Sequence, residues 1–314
     1  MVNSSAEAFA PATVANLGVG FDILGLALSE PGDVVRVEPL EQTGAHILDI
    51  QGDGGKLPRE SHKNTACVAA NSVLELLGSS HGVGIHLEKR LPLASGLGSS
   101  AASAVAAAVA VNALFGTPLS LIELLPACLD GEAAVSGYHA DNVAPCLFGG
   151  ITLSAGVSAE QIYPIPIPDR LHLSLVTPDV EVPTATARAV LPHSVTLRQM
   201  VAQTAAVARV MNALYRGDIE ALGAAMEADG VVEPARAHLM PLLKEVRTAA
   251  KQNGAFGLVI SGAGPTLLAV CDEEVTAQKI ASAMQMVYND AGIACIARHA
   301  RVASSGARIL HVTS

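Results

Sequence analysis

The stretch Pro92-Leu93-Ala94-Ser95-Gly96-Leu97-Gly98-Ser99-Ser100-Ala101-Ala102 decides the fold of this 314-residue chain. Gly96 and Gly98 let the backbone approach a ligand closely, and the serines behind them stand where a helix would begin. The first N–H groups of a helix have no partner within it, and the helix dipole favours negative charge there. The stretch therefore predicts a loop that binds the phosphates of a ligand, with a plain tight turn as the alternative.

The run after this loop, residues 100–114, predicts a buried helix. It consists almost wholly of Ala, Val and Leu, so it lacks the polar face of a surface helix. Gly116 and Pro118 end it in the usual order, with Gly just past the last turn and Pro after it.

Two better-known phosphate motifs do not fit the loop. Gly96 to Ala101 matches the dinucleotide pattern G-x-G-x-x-G/A, but Pro92 interrupts the strand that should lead into it. The P-loop pattern G-x-x-x-x-G-K-[ST] is absent from the sequence, because Ile50 stands where Gly55-Lys56 would need the first glycine. The phosphate site is therefore of another kind.

Composition excludes several classes of protein. Half of the residues are hydrophobic, which favours a compact fold, and the net charge of −10 argues against nucleic acid as a partner. No apolar run is long enough to span a membrane, and the first residues lack the basic start of a signal peptide. We expect a cytoplasmic protein without a membrane partner. The oligomeric state is open, with a homodimer among the alternatives.

The order of predicted elements indicates an α+β protein of two domains. The proline-rich tract 163–168 cannot continue a helix or a central strand, so we expect domains over 1–165 and 166–314. The second half predicts helices on one face of an antiparallel sheet. Hydrophobic patterns predict helices over 64–77, 120–130, 197–216, 219–228, 239–253 and 274–291, and strands over 34–38, 46–50, 84–89, 171–176, 256–260, 266–271 and 293–298.

Three further segments concentrate polar residues or glycines. Residues 9–22 read as an extended segment ending in a turn, where Asn16 and Asp22 form either an Asx turn or part of a site. Residues 131–142 are rich in Glu, His, Asp and Asn in a chain with only 15% charged residues. Residues 261–266 predict a glycine turn between two strands, which is either a plain hairpin or a second loop over a bound phosphate.

In this order, segment 11–22, the loop 92–102 and segment 261–266 resemble the three motifs of the GHMP kinase superfamily of small-molecule ATP-dependent kinases. Residues 16–22 and 136–145 resemble its homoserine kinase family. The resemblance implies transfer of the ATP γ-phosphoryl group to L-homoserine in threonine biosynthesis. It also implies an N-terminal domain like domain 2 of ribosomal protein S5, a ferredoxin-like C-terminal domain, and an active site between them.

The same resemblance implies roles for single residues. Ser100 and Glu132 would hold Mg²⁺, which prefers oxygen ligands. The loop 92–102 would bind the phosphates of ATP. Asn64 lies in segment 63–65, which resembles the segment that lines the adenine pocket. Arg188 and Arg236 would bind the substrate carboxylate, which suits the planar fork of arginine. The substrate contacts implied by the family are Asn16, Asp22, His139, Asn142, Arg188 and Arg236.

Asn142, Glu132 and Asp141 are the catalytic candidates. Asp141 stands where more distant GHMP kinases place a candidate base, whereas the homoserine kinase pattern implies that Asn142 touches the reacting hydroxyl. On an extended backbone, neighbouring side chains point in opposite directions, so we expect Asp141 to point away and not to act as the base. A loose transition state allows the proton to leave late.

Two rival functions are open. One is a GHMP kinase for another small alcohol such as mevalonate, against which the two arginines argue. The other is a sensor that kept the fold and lost the reaction, against which the presence of Ser100, Glu132 and the loop glycines argues.

Overall fold

The computed structural model describes residues 3–314 and contains two sheets with helices packed on them. The strands are β1 (Ser5–Ala15), β2 (Leu24–Leu40), β3 (Ala45–Gln51), β4 (Gly82–Glu88), β5 (Ile151–Ser154), β6 (Ile162–Ile165), β7 (His172–Pro178), β8 (Gly257–Ile260), β9 (Leu267–Cys271), β10 (Cys295–Ala300) and β11 (Arg308–Thr313). The helices are α1 (Thr65–Leu76), α2 (Ser99–Leu114), α3 (Leu121–Ala133), α4 (Ala140–Phe148), α5 (Thr184–Ala189), α6 (Leu197–Arg216), α7 (Ile219–Met226), α8 (Val232–Arg236), α9 (Leu243–Gln252) and α10 (Glu274–Asp290).

The first sheet has the order β11-β1-β2-β4-β3, and β5 and β6 extend it from β2. Its neighbouring strands are antiparallel except for the parallel pair β3 and β4. The last strand of the chain pairs with the first, with Ser5 opposite Thr313 and Phe9 opposite Arg308. The end of the chain therefore completes the sheet that the first half builds.

The second sheet is antiparallel with the order β10-β7-β9-β8, which is the strand order of a ferredoxin-like domain. Leu173 and Leu175 pack on one face with residues of α6 and α7, while Val176 packs on the other face with residues of α9 and α10. Helices therefore cover both faces, and the expectation of one covered face was wrong. Residues 173–178 of β7 are buried on both sides of the strand, which is what two covered faces require.

Helix α2 is the centre of the first half, as its sequence predicts. Every residue from Ala101 to Leu114 is buried. The small side chains let neighbours come close: a Cβ added to Gly131 of α3 would lie 2.7 Å from Ala104 Cβ. Since a well-packed interior tolerates little extra volume, larger residues at this contact would force the two helices apart.

Helix α4 was not predicted, and α3 is longer than predicted. A capping box of Ser120 and Glu123 starts α3 close to the predicted start at 120, but the helix continues past Asp130 to Ala133 and so carries Glu132 in its last turn. The polar residues at the start of α4 hid its pattern, because they face a cleft instead of water.

The tract 163–168 begins in β6, an edge strand that pairs only with β5 among the described strands. Pro164 is tolerated there, because an edge strand has one side on which no N–H is needed for pairing. The division of the chain at 165 and 166 stays a prediction. Among the described residues, no helix is long and apolar enough to cross a membrane.

Candidate active site

A cleft of about 370 Å³ brings together the segments that the sequence singled out. It lies where the loops after β1, β4 and β8 meet the ends of α3, α4, α5 and α8. The predicted site residues that line it are Asn16, Asp22, Asn64, Leu93, Ala94, Ser95, Gly96, Gly98, Ser99, Ser100, Glu132, His139, Asp141, Asn142, Arg188 and Arg236. Residues as far as 220 positions apart in sequence, Asn16 and Arg236, thus share one site.

Four residues of the predicted phosphate loop do not line the cleft: Pro92, Leu97, Ala101 and Ala102. The last three are buried in the core. Their apolar side chains anchor the loop, because they give it a hydrophobic underside that packs on the rest of the first half.

The N-terminus of α2 is open to the cleft. Gly98 precedes the helix with φ at +62°, and within residues 3–314 no side chain caps it. By contrast, Asn64 caps α1 with its side-chain oxygen, and a capping box starts α3. Ser99 Oγ is also buried without a hydrogen-bond partner in the described part of the chain. The free N–H groups and dipole of α2 are therefore available to an anion.

Both loop glycines are needed where they stand. A Cβ on Gly98 would lie 2.0 Å from Thr13 Oγ1, and one on Gly96 would lie 2.3 Å from Ser261 O. Ser261 Oγ donates to Gly96 O at 2.6 Å, and Thr266 N donates to Ser95 O at 3.1 Å. The turn after β8 therefore braces the loop, and its residues Gly262 and Ala263 also line the cleft.

A buried ion pair below the loop was missed by the sequence analysis. Lys89 Nζ donates to the carboxylate of Asp33, to Ser99 O at 2.8 Å and to Ser103 Oγ at 3.0 Å. Asp33 also accepts from the backbone N–H groups of Arg90 and Leu91. All three ammonium protons are used, so the pair is well satisfied despite its burial and ties β2, β4 and α2 together. The sequence signal for this pair was weak: Asp33 directly precedes the predicted strand 34–38, and Lys89 is the last residue of the predicted strand 84–89.

Glu132 is 4% exposed at the end of α3. Burial raises the pKa of its carboxyl, and the hydroxyls of Ser100 and Ser136 oppose that rise by hydrogen bonding. Its Oε2 is buried and has no hydrogen-bond partner among residues 3–314. A buried carboxylate oxygen without a partner, next to a serine hydroxyl, is a donor set that suits a hard cation such as Mg²⁺.

Asp22 and Arg188, which both line the cleft, form a two-point ion pair. The guanidinium donates to both carboxylate oxygens, at 2.9 and 3.0 Å. His139 Nδ1 lies 3.7 Å from the same carboxylate. Burial lowers the pKa of His139, more than the charge of Asp22 raises it, which favours the neutral imidazole. The charge of Arg188 is therefore balanced within the protein.

Arg236 is a different case, because its guanidinium is buried and pairs with no acidic group in the described range 3–314. It is 3% exposed, with Nε donating to Ala187 O at 3.0 Å and Nη1 to Gly262 O at 2.9 Å. No carboxylate among residues 3–314 pairs with it, and its guanidinium carbon lies 5.1 Å from the centre of the Phe21 ring. Burial, then the charge of Arg188, lowers its pKa. A buried cation of this kind favours an anionic ligand group.

Asp141 and Asn142 lie in the first turn of α4, so the extended backbone that we expected there was wrong. In a helix, neighbouring side chains do not point in opposite directions, and both residues line the cleft. Burial, with the negative charges of Asp22 and Glu132, raises the pKa of Asp141 to about 7. Asn142 Oδ1 accepts from Thr13 Oγ1 at 2.7 Å.

Asn64 has a structural duty at the wall of the cleft. Its side-chain oxygen accepts from Ala66 N at 3.0 Å and Cys67 N at 3.4 Å, while its amide donates to Pro58 O at 2.8 Å. It starts α1 and holds the preceding loop, which also lines the cleft.

Comparisons with known proteins agree with this geometry. A family model described as the GHMP kinases N terminal domain matches residues 64–150, and one described as GHMP kinases C terminal matches residues 210–290. The chain is 42% identical to a homoserine kinase of Chloroherpeton thalassium, covering 89% of this chain and 91% of that protein. It is 43% identical to a homoserine kinase of Arabidopsis thaliana, covering 99% of this chain and 86% of that protein.

A solved structure gives the same result. The crystal structure of homoserine kinase from Cytophaga hutchinsonii superposes with a TM-score of 0.93 at 40% identity, covering 98% of both chains. The two-domain GHMP kinase fold is thus confirmed. With relatives this similar along nearly its whole length, the chain belongs to the homoserine kinase family of the GHMP kinases.

Proposed function

We propose that this protein transfers the γ-phosphoryl group of ATP to the side-chain hydroxyl of L-homoserine, giving O-phospho-L-homoserine and ADP. One observation carries the proposal. Among residues 3–314, the cleft holds a buried guanidinium that pairs with no carboxylate, in Arg236, and a helix N-terminus that no side chain caps, in α2. An amino-acid alcohol and a nucleoside triphosphate complement these two features, which we call the substrate end and the phosphate end.

The substrate end suits a zwitterion. Arg236 binds the carboxylate, because within the described residues its guanidinium donates only to the carbonyls of Ala187 and Gly262 and its charge is not paired. Asp22 accepts from the ammonium group, with Arg188 holding that carboxylate in place at two points. Two further residues complete the substrate contacts. Asn16 lies next to Arg236, because its amide donates to Gly262 O, and His139 offers a ring nitrogen beside Asp22.

The phosphate end binds ATP through the N–H groups of α2 and the loop 92–102, with Asn64 shaping the adjacent wall. Ser100 and Glu132 would hold the magnesium ion, which neutralises charge on the phosphate oxygens when bound. Positioning and charge neutralisation are the main requirements of phosphoryl transfer, and the chain supplies both from rigid elements.

The hydroxyl of the substrate is oriented by Asn142. Because Asn142 Oδ1 is occupied by the Thr13 hydroxyl, its amide nitrogen is left to donate to the reacting oxygen. An amide cannot take up a proton at neutral pH, so the proton leaves late and passes to the transferred phosphoryl group, as a loose transition state permits. Asp141 then shapes the charge of the site without serving as an obligatory base.

The test is ADP release from ATP and Mg²⁺ with a panel of alcohols. L-Homoserine, mevalonate and shikimate distinguish substrate classes, and two truncated analogues of homoserine test the ends: 3-aminopropan-1-ol lacks the carboxylate and 4-hydroxybutanoate lacks the amine. We expect turnover with L-homoserine and a kcat/KM at least a hundredfold lower with either analogue. Turnover of mevalonate or shikimate without turnover of homoserine would refute the proposal.

Such a biosynthetic kinase is expected to work in the cytoplasm. A homodimer stays a prediction, and light scattering of the purified chain checks it.

A further inference from the structure

Two residues outside the cleft join two of its walls. Gln203 lies on α6, and Asp229 lies in the turn between α7 and α8. The single nitrogen Gln203 Nε2 donates to Val19 O, in the loop after β1, and to Asp229 Oδ1, at 3.1 Å each. Neither residue lines the cleft. One side chain of α6 thus connects the loop 16–22 to the turn that leads into α8.

Asp229 fixes the start of α8. Its Oδ1 accepts from Val231 N at 2.9 Å and Val232 N at 3.0 Å, and its Oδ2 accepts from Glu233 N at 2.8 Å. A carboxylate in this position satisfies the free N–H groups of the turn and complements the helix dipole. Because α8 has only five residues, Arg236 is one turn away from the groups that Asp229 holds.

The same two walls are joined a second time on the cleft side. Gly262 O accepts from Arg236 Nη1 at 2.9 Å and from Asn16 Nδ2 at 3.0 Å. The loop 16–22 is therefore tied to α8 at Asn16 through Gly262 and at Val19 through Gln203 and Asp229. These contacts form a closed ring around the residues that would hold the substrate carboxylate.

We propose that Asp229 and Gln203 are positioning residues that set Arg236 against the loop 16–22 and thereby determine the affinity for the substrate carboxylate. The proposal rests on the proposed function in one respect, that Arg236 binds the carboxylate of an amino-acid alcohol. The ring reaches the phosphate loop only through the turn of Gly262, which the contact of Ser261 with Gly96 holds separately, so the effect falls mainly on the amino-acid substrate.

The decisive variants are Asp229→Ala and its conservative counterpart Asp229→Asn. In Asp229→Ala the KM for L-homoserine rises tenfold or more, while the KM for ATP stays within twofold and kcat within threefold. Asp229→Asn keeps an oxygen for Gln203 and the first N–H groups, so it recovers a large part of the loss. Gln203→Met raises the homoserine KM in the same direction by a smaller factor.

Asp218→Ala is the matched control. Asp218 caps the neighbouring helix α7 by accepting from Ala221 N at 3.0 Å, and it makes no contact with the ring. Both variants lose a helix cap, but only Asp229→Ala also breaks the ring. We therefore expect Asp218→Ala to leave both KM values within twofold of wild type. Equal increases in the two KM values of Asp229→Ala, or a homoserine effect in Asp218→Ala as large as in Asp229→Ala, would overturn the proposal.

Amide hydrogen exchange separates this proposal from the proposed function. If wild-type protein does not phosphorylate homoserine, the proposed function fails, and exchange at residues 18–22 still decides the positioning role. Faster exchange there in Asp229→Ala than in Asp218→Ala supports the ring as the device that positions the loop. Unchanged exchange at 18–22 in Asp229→Ala contradicts it.

Discussion

At the scale of single residues, Arg236 has the greatest consequence, because a buried cation that pairs with no carboxylate of residues 3–314 favours an anionic ligand. We predict that Arg236→Met weakens binding of L-homoserine by roughly 2 to 4 kcal/mol, as when one partner of a buried charge pair is removed, and leaves ATP binding nearly unchanged. Calorimetric titration of both ligands measures this. Arg308→Met is the control, since Arg308 packs over Phe9 away from the cleft. Equal weakening of both ligands would make Arg236 a purely structural residue.

Glu132 is the residue on which the proposed magnesium site depends. Glu132→Gln should lower kcat a hundredfold or more, on the order of 3 kcal/mol of transition-state stabilisation, because the amide cannot neutralise a cation. The measurement is kcat over a magnesium titration. Glu123→Gln provides the matched control, since Glu123 caps the other end of the same helix. A near-normal kcat at ordinary magnesium concentrations would contradict the assignment.

Asp141 gives a pH dependence with a defined sign. Its pKa is about 7 in the folded protein against an ordinary value of 3.8, so the folded state binds the proton more tightly. Stability from this proton is fully present below pH 4 and is lost as the pH rises through 7. We predict that Asp141→Asn gains stability relative to wild type between pH 5 and 7, on the order of 2 kcal/mol.

Urea unfolding of both proteins at pH 5, 6, 7 and 8 measures this gain, which should level off above pH 7. A difference that is independent of pH would show that the Asp141 carboxyl is already ionised at pH 5. In the same variant we expect kcat to fall less than in Asn142→Leu. A thousandfold fall in Asp141→Asn alone, with loss of the acidic limb of the pH profile, would establish Asp141 as the base.

At the scale of elements, α2 has a glycine at each end, and the two serve different purposes. Gly98 and Gly116 both have positive φ, so alanine costs about 1 kcal/mol of backbone strain at either position. At Gly98 the new Cβ would collide with Thr13 Oγ1 at 2.0 Å, whereas at Gly116 it would meet no atom of residues 3–314 within 4 Å. Gly98→Ala should therefore raise the KM for ATP at least tenfold, while Gly116→Ala should lower stability alone.

The measurements are urea unfolding and the KM for ATP of both variants. If Gly116→Ala raised the KM for ATP as much as Gly98→Ala does, the effect would come from strain in the helix and not from the shape of the loop. The comparison thus isolates the N-terminus of α2 as the binding element.

At the scale of the whole molecule, the last residues form β11, which pairs with the first strand, β1. Deleting residues 308–314 leaves the outer edge of β1 without its partners, so we predict a loss of roughly 2 kcal/mol or more in the free energy of unfolding. Hydrogen exchange should become faster in β1 and stay unchanged in β7. Removing Ser314 alone is the control. Faster exchange in β7 with β1 still protected would contradict the prediction.

Some features follow from the sequence alone because their causes are local. The apolar run of α2 specifies a buried helix, and Thr196 and Gly217 set α6 at Leu197–Arg216, as predicted. The glycine and serine spacing of the loop 92–102 predicts an anion site, and the uncapped N-terminus of α2 agrees with it. Cap, periodicity and turn each depend on residues a few positions apart, so a single sequence contains enough information to predict them.

Other features were decided only by the tertiary structure. The pairing of Asp22 with Arg188 joins residues 166 positions apart, and the Asp33 and Lys89 pair and the β11 strand likewise depend on distant partners. Helix α4 was hidden because Asp141 and Asn142 face a cleft formed by other segments, which lets polar side chains occupy buried positions. The sequence predicts which groups are polar, but burial, charge balance and a shifted pKa arise only when distant segments enclose them.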